Sequence, residues 1–388
     1  MTALALACAA VLSVMLAVSL FNLWTAPRLE RAGEPDATPK VSLLMPARDE
    51  AENLRRTLPS LLAQDYPALE ILLLDDRSTD GTGDVARRIA SDVGGRLTVL
   101  QGAEPPAGWV GKNWACHQLA KVATGEILVF CDADVEAAPA AVRRTVAMLR
   151  RHAAGALTAL PRQRLEGWAQ AAVVPVVAQL PVLALLPMRL IPVVRAPSLS
   201  MANGQWLAFT RAAYDACGGH AAVRGEVLED VALGRRIKAA GHRLVACVAP
   251  ALLAVRMYGS AREMREGFRK NLYPLLGGRR LSFAFGVALL AFAWLAPFAI
   301  ALIGRTRIAF LPLALLLVMR VAGALLFRYG WRTVLLHPVG VLMAAALAVE
   351  SWIRHERGTV TWRGRRVPSG ADGAAADGAG GRGVMGAG

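Results

Sequence analysis

The sequence predicts an α/β domain with a mostly parallel sheet, an N-terminal transmembrane anchor and C-terminal transmembrane helices. Of the 388 residues, 55% are hydrophobic and the mean hydropathy is +0.40, which is too apolar for an ordinary soluble protein. The charged residues make up 19%, which is too many for a pure bundle of membrane helices. Long apolar stretches occur near both ends of the chain, and strand-like and helix-like segments alternate from Val41 onward. A soluble domain attached to membrane segments satisfies these observations.

Residues 1–26 are predicted to be a transmembrane anchor. The uncharged apolar run at 3–24 is long enough to cross about 30 Å of hydrocarbon. A cleaved signal peptide is the alternative, but no basic residue precedes the run, and the run is long for such a segment. Residues 27–40 then form a polar linker that contains prolines.

Residues 41–280 are predicted to form the α/β domain. Short apolar runs alternate with stretches of helical length, which is typical of parallel strands joined by crossover helices. Asp80 stands where it could cap the second helix, which is expected to run to about Ala90. The predicted strands are 41–45, 70–74, 97–100 and 126–131, and the first helix is 50–64.

Two segments of this domain are predicted to lie in the membrane interface, and the first is 171–194. It is long enough to span, but a single crossing would separate acidic residues that we expect to share one site. Prolines at 175, 181, 187 and 192 should also break a straight helix repeatedly. We expect broken helices that lie in the interface and cover the entrance to that site, with burial in the soluble core as the alternative.

The second segment is 261–276, where an apolar stripe and a basic stripe follow the helical repeat. Such a helix could lie on the membrane with its arginines toward headgroups or a diphosphate. A buried core stripe with solvated charges is equally compatible. The two stripes are Met264, Phe268 and Leu272, and Arg262, Arg265 and Arg269.

Residues 281–353 are predicted to form a C-terminal membrane region with apolar stretches at 282–303, 308–327 and 333–353. Arg320 interrupts the second stretch and the His337–Pro338 pair interrupts the third, so these two could be re-entrant or interfacial. Residues 354–388 form a basic tail, which from Ser369 is rich in Gly and Ala and is expected to be disordered.

The net charge and the cysteines restrict the classes of partner. The charge of +15 comes largely from arginines near the membrane segments, which favours attraction to anionic headgroups and phosphates. We expect no nucleic-acid partner, because no module of interleaved aromatic and basic residues is present. The five cysteines are scattered and lack a C-x-x-C spacing, which argues against a zinc site and a disulfide framework.

Two acidic clusters are the strongest candidates for chemistry. Asp132 and Asp134 follow an apolar run that should end at the carboxyl edge of the sheet, where open α/β folds bind ligands. Two aspartates with this spacing can hold a hard divalent cation that also takes oxygens from a diphosphate. Glu229 and Asp230 could supply a general base across the cleft. An Asp-x-Asp motif by itself is more often a solvated turn.

Polar tips also end the first two predicted strands, at 46–50 (Pro-Ala-Arg-Asp-Glu) and 75–80 (Asp-Asp-Arg-Ser-Thr-Asp). Neighbouring tips of this kind form a natural nucleoside pocket. Together with the two acidic clusters, in this order and spacing, these motifs resemble those of family 2 glycosyltransferases with the GT-A fold, over residues 40 to about 275. The resemblance implies a Rossmann-like catalytic domain that transfers a sugar from a nucleotide sugar.

A further segment narrows the resemblance. Residues 108–115 (Gly-Trp-Val-Gly-Lys-Asn-Trp-Ala) are similar to segments of membrane glycosyltransferases associated with hopanoid and carotenoid biosynthesis, and 360–365 resemble the same subgroup. This implies a UDP- or GDP-sugar donor and a hydroxylated lipid acceptor. Gly111 would let the backbone approach a diphosphate, while Lys112 would supply a point charge.

The resemblance also implies residue roles. Asp134 would bind a divalent metal, Mg²⁺ or Mn²⁺, with Asp132 assisting at the metal or the ribose. Asp230 would be the catalytic base of an inverting, single-displacement transfer, with Glu229 beside it.

The binding pockets follow from the same resemblance. The nucleotide-sugar pocket is implied to comprise Pro46, Ala47, Arg48, Glu50, Asp76, Lys112, Asp132 and Arg269. The acceptor pocket is implied to comprise Asn203, Gly204 and Trp206.

One departure concerns the Q-x-x-R-W motif of processive family members. The corresponding residues 266–270 are Glu-Gly-Phe-Arg-Lys, so Arg269 is kept and could reach the diphosphate, but the glutamine and the tryptophan are missing. The departure favours one transfer per acceptor over polymer synthesis.

Alternatives remain at this stage. The acceptor could be a polyprenyl phosphate or another glycolipid. The chain could also be a catalytically silent membrane scaffold, although nothing structural demands carboxylates in all four motifs. A nucleotidyltransferase would share the pocket but would not need Glu229 and Asp230.

The expected location is the cell (inner) membrane, with several crossings and the catalytic domain in the cytoplasm, where nucleotide sugars are made. The arginines that follow the last apolar stretch prefer the cytoplasmic side as well. Both expectations hold if the C-terminal region crosses an even number of times. We therefore predict two full C-terminal crossings and a cytoplasmic C-terminus.

Overall fold

The computed structural model describes residues 1–92, 95–362 and 365–366. Its strands are β1 (Val41–Ala47), β2 (Leu69–Asp75), β3 (Leu97–Gln101), β4 (Ile127–Cys131), β5 (Val135–Ala137), β6 (Ala156–Leu160), β7 (Arg162–Gln163), β8 (Trp206–Thr210), β9 (Leu244–Val248), β10 (Leu253–Val255), β11 (Thr361–Trp362) and β12 (Arg365–Arg366). Its α-helices are α1 (Thr2–Thr25), α2 (Ala51–Leu62), α3 (Thr82–Asp92), α4 (Gly111–Val122), α5 (Ala141–Arg151), α6 (Trp168–Val174), α7 (Leu180–Leu185), α8 (Arg211–Ala216), α9 (Glu229–Ala239), α10 (Ala261–Leu275), α11 (Arg280–Trp294), α12 (Ala296–Ile303), α13 (Leu311–Phe327), α14 (Arg332–Leu335) and α15 (His337–Glu356).

Seven of the described strands form the main sheet, in the order β3-β2-β1-β4-β8-β6-β9. β1 runs parallel to β2 and β4, and β2 runs parallel to β3. β8 is antiparallel to both of its neighbours, and β9 is parallel to β6. A second, three-stranded sheet has the order β5-β10-β7. The sheet is mostly parallel, and the predicted α/β fold class is confirmed.

Helices cover both faces of the main sheet. Successive side chains of a strand point to opposite faces. Leu43 and Met45 of β1 therefore pack in the core that contains α2 and α5, whereas Leu44 packs in the core that contains α4 and α9. Because both faces are buried, the parallel strands are continuous apolar runs. Because β1, β2 and β4 run in the same direction, the polar residues that follow them meet at one edge of the sheet.

The apolar helices form a core of their own. α1 packs along α13 and against α7, and Leu12, Leu180 and Leu316 from these three helices are buried together. Outward-facing apolar side chains such as Leu281 and Leu302 are 86% and 88% exposed, as expected for helices that contact lipid.

Three helices in the described part of the chain are long and apolar enough to span a membrane: Thr2–Thr25, Trp168–Leu185 and Arg307–Phe327. α10 and α11 would make a fourth candidate only as a bent pair, since they meet at 111°. The predicted apolar helices at the N-terminus and near the C-terminus are therefore present. The number of crossings and the side of the C-terminus stay predictions.

The segment predicted at 171–194 is less broken than its prolines suggested. A π-helix at Pro175–Gln179 joins α6 to α7, and α7 ends at Leu185, shortly before Pro187. Pro175 opens the π-helix and Pro181 lies in the first turn of α7, so each proline stands where the hydrogen-bonding pattern of the helix changes. The strand before the segment, β7, belongs to the small sheet, and the strand after it, β8, belongs to the main sheet.

The apolar stripe of α10 is buried inside the protein. Met264, Phe268 and Leu272 pack with α6 and α15. Two arginines of the basic stripe, Arg265 and Arg269, pair with Glu350 of α15, whereas Arg262 is exposed and pairs with Glu266 of its own helix. The structure therefore supports the buried-stripe alternative for this helix, and it turns these two arginines toward a carboxylate of the protein instead of headgroups.

The C-terminal apolar stretches form helices with one interruption. The first divides at Leu295 into α11 and α12, because Pro297 cannot continue a helix from the preceding turn. The second and third are α13 and α15. The predicted disordered segment from Ser369 lies outside the described residues.

Candidate active site

The site begins at the carboxyl ends of β1 and β2, where two turns are hydrogen-bonded to each other. Arg48 donates to the backbone carbonyl of Asp76 at 2.9 Å, and its guanidinium lies 4.0 Å from the Asp76 carboxylate. The backbone N–H of Glu50 donates to the hydroxyl of Thr82 at 2.7 Å. The N–H of Ala51 donates to the Asp80 carboxylate at 2.9 Å. These bonds hold Arg48 and Glu50 beside Asp76.

Asp80 does more than the predicted capping. One of its carboxylate oxygens accepts from the N–H of Thr82 at 2.9 Å, which caps the start of α3. The other oxygen accepts from the first turn of α2. A single side chain thus fixes both α2 and α3, the helices that follow β1 and β2.

The two acidic clusters are joined by one lysine. Lys112, in the first turn of α4, places its ammonium 2.8 Å from Asp132 and 2.9 Å from Glu229. Burial alone would lower the pKa of Lys112, but the two carboxylates outweigh it and hold that pKa well above its ordinary value. The sequence predicted both clusters but not this bridge between them.

Lys112 gives the two acids of the second cluster, Glu229 and Asp230, different pKa values. Burial alone would raise the pKa of Glu229, but the charge and hydrogen bond of Lys112 outweigh it and lower that pKa below its usual value. Burial and the nearby negative charge of Glu229 raise the pKa of Asp230 to about 6. Asp230 is therefore the member of the pair suited to exchange a proton near neutral pH.

Gly204 holds Asp230 in place. Its backbone N–H donates to Asp230 Oδ2 at 2.8 Å. A Cβ at this position would lie 3.0 Å from Lys112 Nζ and 3.5 Å from Glu229 Oε1, so a larger side chain would have to displace the end of Lys112. The predicted Asn203–Gly204 turn thus lies against the charged cluster.

Asp134 has the character of a cation ligand. Its Oδ1 is buried and has no hydrogen-bond partner. Burial, followed by the charges of Asp132 and Glu50, raises its pKa well above the ordinary value, and a bound cation would reverse that shift. No group of three or more metal-ligating side chains converges within the described residues, so a metal here would need oxygens from a ligand.

Asn113 is a site residue that the sequence did not single out. It is fully buried, and its side-chain amide donates to the carbonyls of Val223, Arg224 and Glu226 at 2.7, 3.2 and 2.9 Å. It therefore anchors the loop that leads into Glu229. Its position directly after Lys112 was the available signal.

A cavity of about 1150 Å³ begins at these charged groups and continues between the apolar helices. Its polar end is lined by the strand tips, the two acidic clusters and Lys112. Its other end is lined by the π-helix at Pro175–Gln179 and by α7, α10, α11 and α15. Lining residues of the apolar end include Val176, Val182, Leu272, Leu276, Gly286, Leu290, Trp294, Val341, Ala344, Ala345 and Ala348.

Twelve of the predicted site residues line this cavity: Pro46, Ala47, Arg48, Glu50, Asp76, Lys112, Asp132, Asp134, Asn203, Gly204, Glu229 and Asp230.

Two predicted residues lie elsewhere. Trp206 is fully buried in β8, and its indole N–H donates to Thr145 of α5 at 2.9 Å, so it is a core residue and does not shape the acceptor pocket. Arg269 pairs with Glu350 and does not line the cavity, whereas the adjacent Lys270 does.

The comparison with known families agrees with this geometry. Residues 4–374 match the sequence profile of glycosyl transferase family 21. The chain belongs to this family. The motifs had suggested family 2, and the matching profile carries a different number, but the predicted glycosyltransferase activity and GT-A fold are confirmed. This family 21 member is thus an enzyme whose cavity joins a charged site to apolar helices.

Relatives and one solved structure extend the comparison. The 4,4'-diaponeurosporenoate glycosyltransferase of Staphylococcus aureus (strain MRSA252) is 24% identical over 345 residues, which cover 84% of this chain and 88% of that relative. The enzyme of the same name from Staphylococcus haemolyticus (strain JCSC1435) is 31% identical over 125 residues, or 32% of each chain. The mannosyltransferase PcManGT from Pyrobaculum calidifontis, solved with GDP-Man and Mn²⁺, shares the fold with a TM-score of 0.52 and 20% identity, over 91% of this chain and 98% of that one.

Proposed function

We propose that this enzyme transfers a single sugar from a UDP- or GDP-sugar to a hydroxylated lipid, a carotenoid, hopanoid or similar isoprenoid, with inversion at the sugar. The observation that carries the proposal is the continuous cavity. It connects Asp132, Asp134 and Asp230 with a lining of apolar side chains from α7, α10, α11 and α15. A water-soluble acceptor would not need such a lining.

The donor would occupy the polar end of the cavity. Arg48 and Asp76 would contact the nucleoside, and Asp134, assisted by Asp132, would hold Mg²⁺ or Mn²⁺. The metal, when bound, would neutralise charge on the leaving diphosphate. The similarly folded mannosyltransferase was solved with ligands of these two classes.

Asp230 would act on the acceptor. Its carboxylate would take the proton from the acceptor hydroxyl while the oxygen forms a bond to the anomeric carbon and the bond from that carbon to the diphosphate breaks. With a pKa of about 6, Asp230 is ionised at neutral pH, and its pKa is near enough to that pH for it to accept a proton. One displacement of this kind inverts the anomeric configuration.

The acceptor would lie in the apolar end. Small residues at Gly286, Ala344 and Ala345 leave room there for an extended chain. The S. aureus and S. haemolyticus relatives are named for an isoprenoid acid, 4,4'-diaponeurosporenoate, and we propose an acceptor of similar length and polarity. A polyprenyl phosphate or another glycolipid precursor is the second candidate, because Lys112 and Lys270 offer positive charge near the cavity's polar end.

The relatives' acceptor also bears on the reacting group. A name ending in -oate denotes a carboxylate, which is already deprotonated at neutral pH and needs no base. A hydroxyl acceptor needs Asp230, and a carboxylate acceptor does not. The catalytic domain would face the cytoplasm at the cell (inner) membrane, with donor and lipid entering from opposite ends of the cavity.

Purified protein in lipid nanodiscs, incubated with UDP- or GDP-sugars, Mn²⁺ and an isoprenoid alcohol, tests the proposal. We expect a glycosylated lipid and one nucleoside diphosphate per transfer, both abolished by a chelator. Release of pyrophosphate instead would indicate nucleotidyl transfer. Mass analysis of lipids from cells with and without the gene would then identify the acceptor.

A further inference from the structure

Two adjacent cationic residues of α10, Arg269 and Lys270, point in different directions. Neighbouring residues of an α-helix are about 100° apart around its axis. The cavity is lined by Gly267, Lys270 and Asn271, among other residues of this helix. Arg269 does not line the cavity and instead pairs with Glu350 of α15.

The surroundings of Arg269 fix it there. Glu350 also pairs with Arg265 and Arg354, so three arginines share one carboxylate at this surface. The Nε of Arg269 is buried. Moving the Arg269 side chain into the cavity would break its ion pair with Glu350.

Lys270 lies in the charged end of the cavity. Burial and the charge of Lys112 lower the pKa of Lys270 below its ordinary value, against the opposing effect of the carboxylates of Glu229, Asp132 and Asp230, while the side chain lines the cavity. Of the two neighbouring cationic residues of α10, Lys270 lines the cavity and Arg269 does not. A diphosphate placed at the Asp132–Asp134 edge would therefore meet the positive charge of this helix at Lys270.

We propose that Lys270, and not Arg269, contacts the diphosphate of the donor and stabilises it as the leaving group. This inference rests on the proposed function. As the bond between the anomeric carbon and the diphosphate oxygen breaks, the electron pair stays with the diphosphate, and a nearby ammonium favours that charge. The side chain of a lysine can follow the leaving group as a flexible point charge.

The matched pair Lys270→Met and Arg269→Met tests the proposal, because each removes one positive charge from neighbouring positions of the same helix. Affinity for UDP, GDP and inorganic pyrophosphate is measured by calorimetry with Mn²⁺ and the full chain in nanodiscs. Lys270→Met should weaken binding of a nucleoside diphosphate and of pyrophosphate roughly 10- to 100-fold, the loss typical of a charge-assisted contact. Arg269→Met should leave affinity within about twofold and lower the melting temperature, since it breaks the pairing with Glu350.

Lys270→Arg keeps the charge and should retain most of the affinity, which separates the loss of charge from a change in packing. If Lys270→Met does not fold, Lys270→Gln serves the same purpose. Unchanged affinity in a folded Lys270 variant, or a loss confined to Arg269→Met, would overturn the inference while leaving the proposed function intact. A wild-type protein that binds none of these phosphates would overturn both.

Discussion

The two ends of the cavity are built in different ways. At the polar end, side chains are fixed by named hydrogen bonds, such as those that Gly204 donates to Asp230 and Asn113 donates to the loop before Glu229. At the apolar end, only packing defines the space, and small residues such as Gly286 and Ala345 leave it open. Under the proposed function, the polar end would determine the chemistry and the apolar end the size of the acceptor. Substitutions at the two ends should change different kinetic constants.

The largest effect is expected where the two ends meet. Asp230→Asn keeps the shape of the side chain but removes its ability to take a proton. Transfer to an alcohol acceptor should fall roughly 10² to 10⁴-fold, while affinity for the nucleoside diphosphate stays nearly the same. Turnover of a carboxylic acid acceptor should survive. Wild-type turnover with the alcohol would contradict the role of Asp230 as base.

Removing charge from the polar end should affect the donor only. Asp134→Ala should weaken Mn²⁺-dependent binding of UDP or GDP by at least about 10- to 100-fold, the range caused even by substitutions outside the ligand shell of a metal. The acceptor's affinity, measured by fluorescence of a lipid probe, should not change. Equal binding with and without Mn²⁺ in both proteins would exclude Asp134 as a ligand.

The polar end of the site was predictable from sequence because the relevant residues follow strands directly. In a parallel sheet, strand ends meet at one edge, so Arg48, Asp76, Asp132 and Asp134 had to lie together once the strands were recognised. The order of the motifs was sufficient for this, and no knowledge of the packing was required.

Which side chains of a helix or strand face the cavity was not predictable in the same way. Arg269 and Lys270 differ by one position, and the partner that decides between them, Glu350, lies in α15 far along the chain. Trp206 followed a turn that does reach the site, but β8 directs it into the core against Thr145. Both outcomes depend on contacts between distant segments. The apolar end of the cavity has the same origin, since no motif marks the residues that line it.

The pH dependence provides a smaller test of the polar end. With a pKa raised to about 6, Asp230 is protonated as the pH falls below that value and can no longer accept a proton. The turnover number should be level above about pH 7 and should decrease toward tenfold per pH unit below about pH 6. The Asp230→Asn variant should lack this limb. A level wild-type profile down to pH 5 would contradict the assignment.

Filling the apolar end should affect the acceptor only. Ala345 lines the cavity, whereas Ala346 is exposed on the outer face of the same helix. Ala345→Phe should raise the KM for the lipid about tenfold, because it occupies space that the acceptor chain needs. Donor affinity should not change. Ala346→Phe is the matched control, and an equal effect of both substitutions would show that the cavity is not the acceptor path.

The smallest effect is expected behind the site, at Trp206. Phenylalanine there keeps an aromatic ring but loses the hydrogen bond to Thr145, which contributes about 0.5–1.5 kcal/mol, together with some packing. The melting temperature of Trp206→Phe should fall by a few degrees. The KM values for donor and lipid, in contrast, should stay within about twofold of wild type, because the side chain reaches neither end of the cavity. A selective rise in the lipid KM at unchanged melting temperature would mean that Trp206 contacts the acceptor after all, and that the polar end extends through β8.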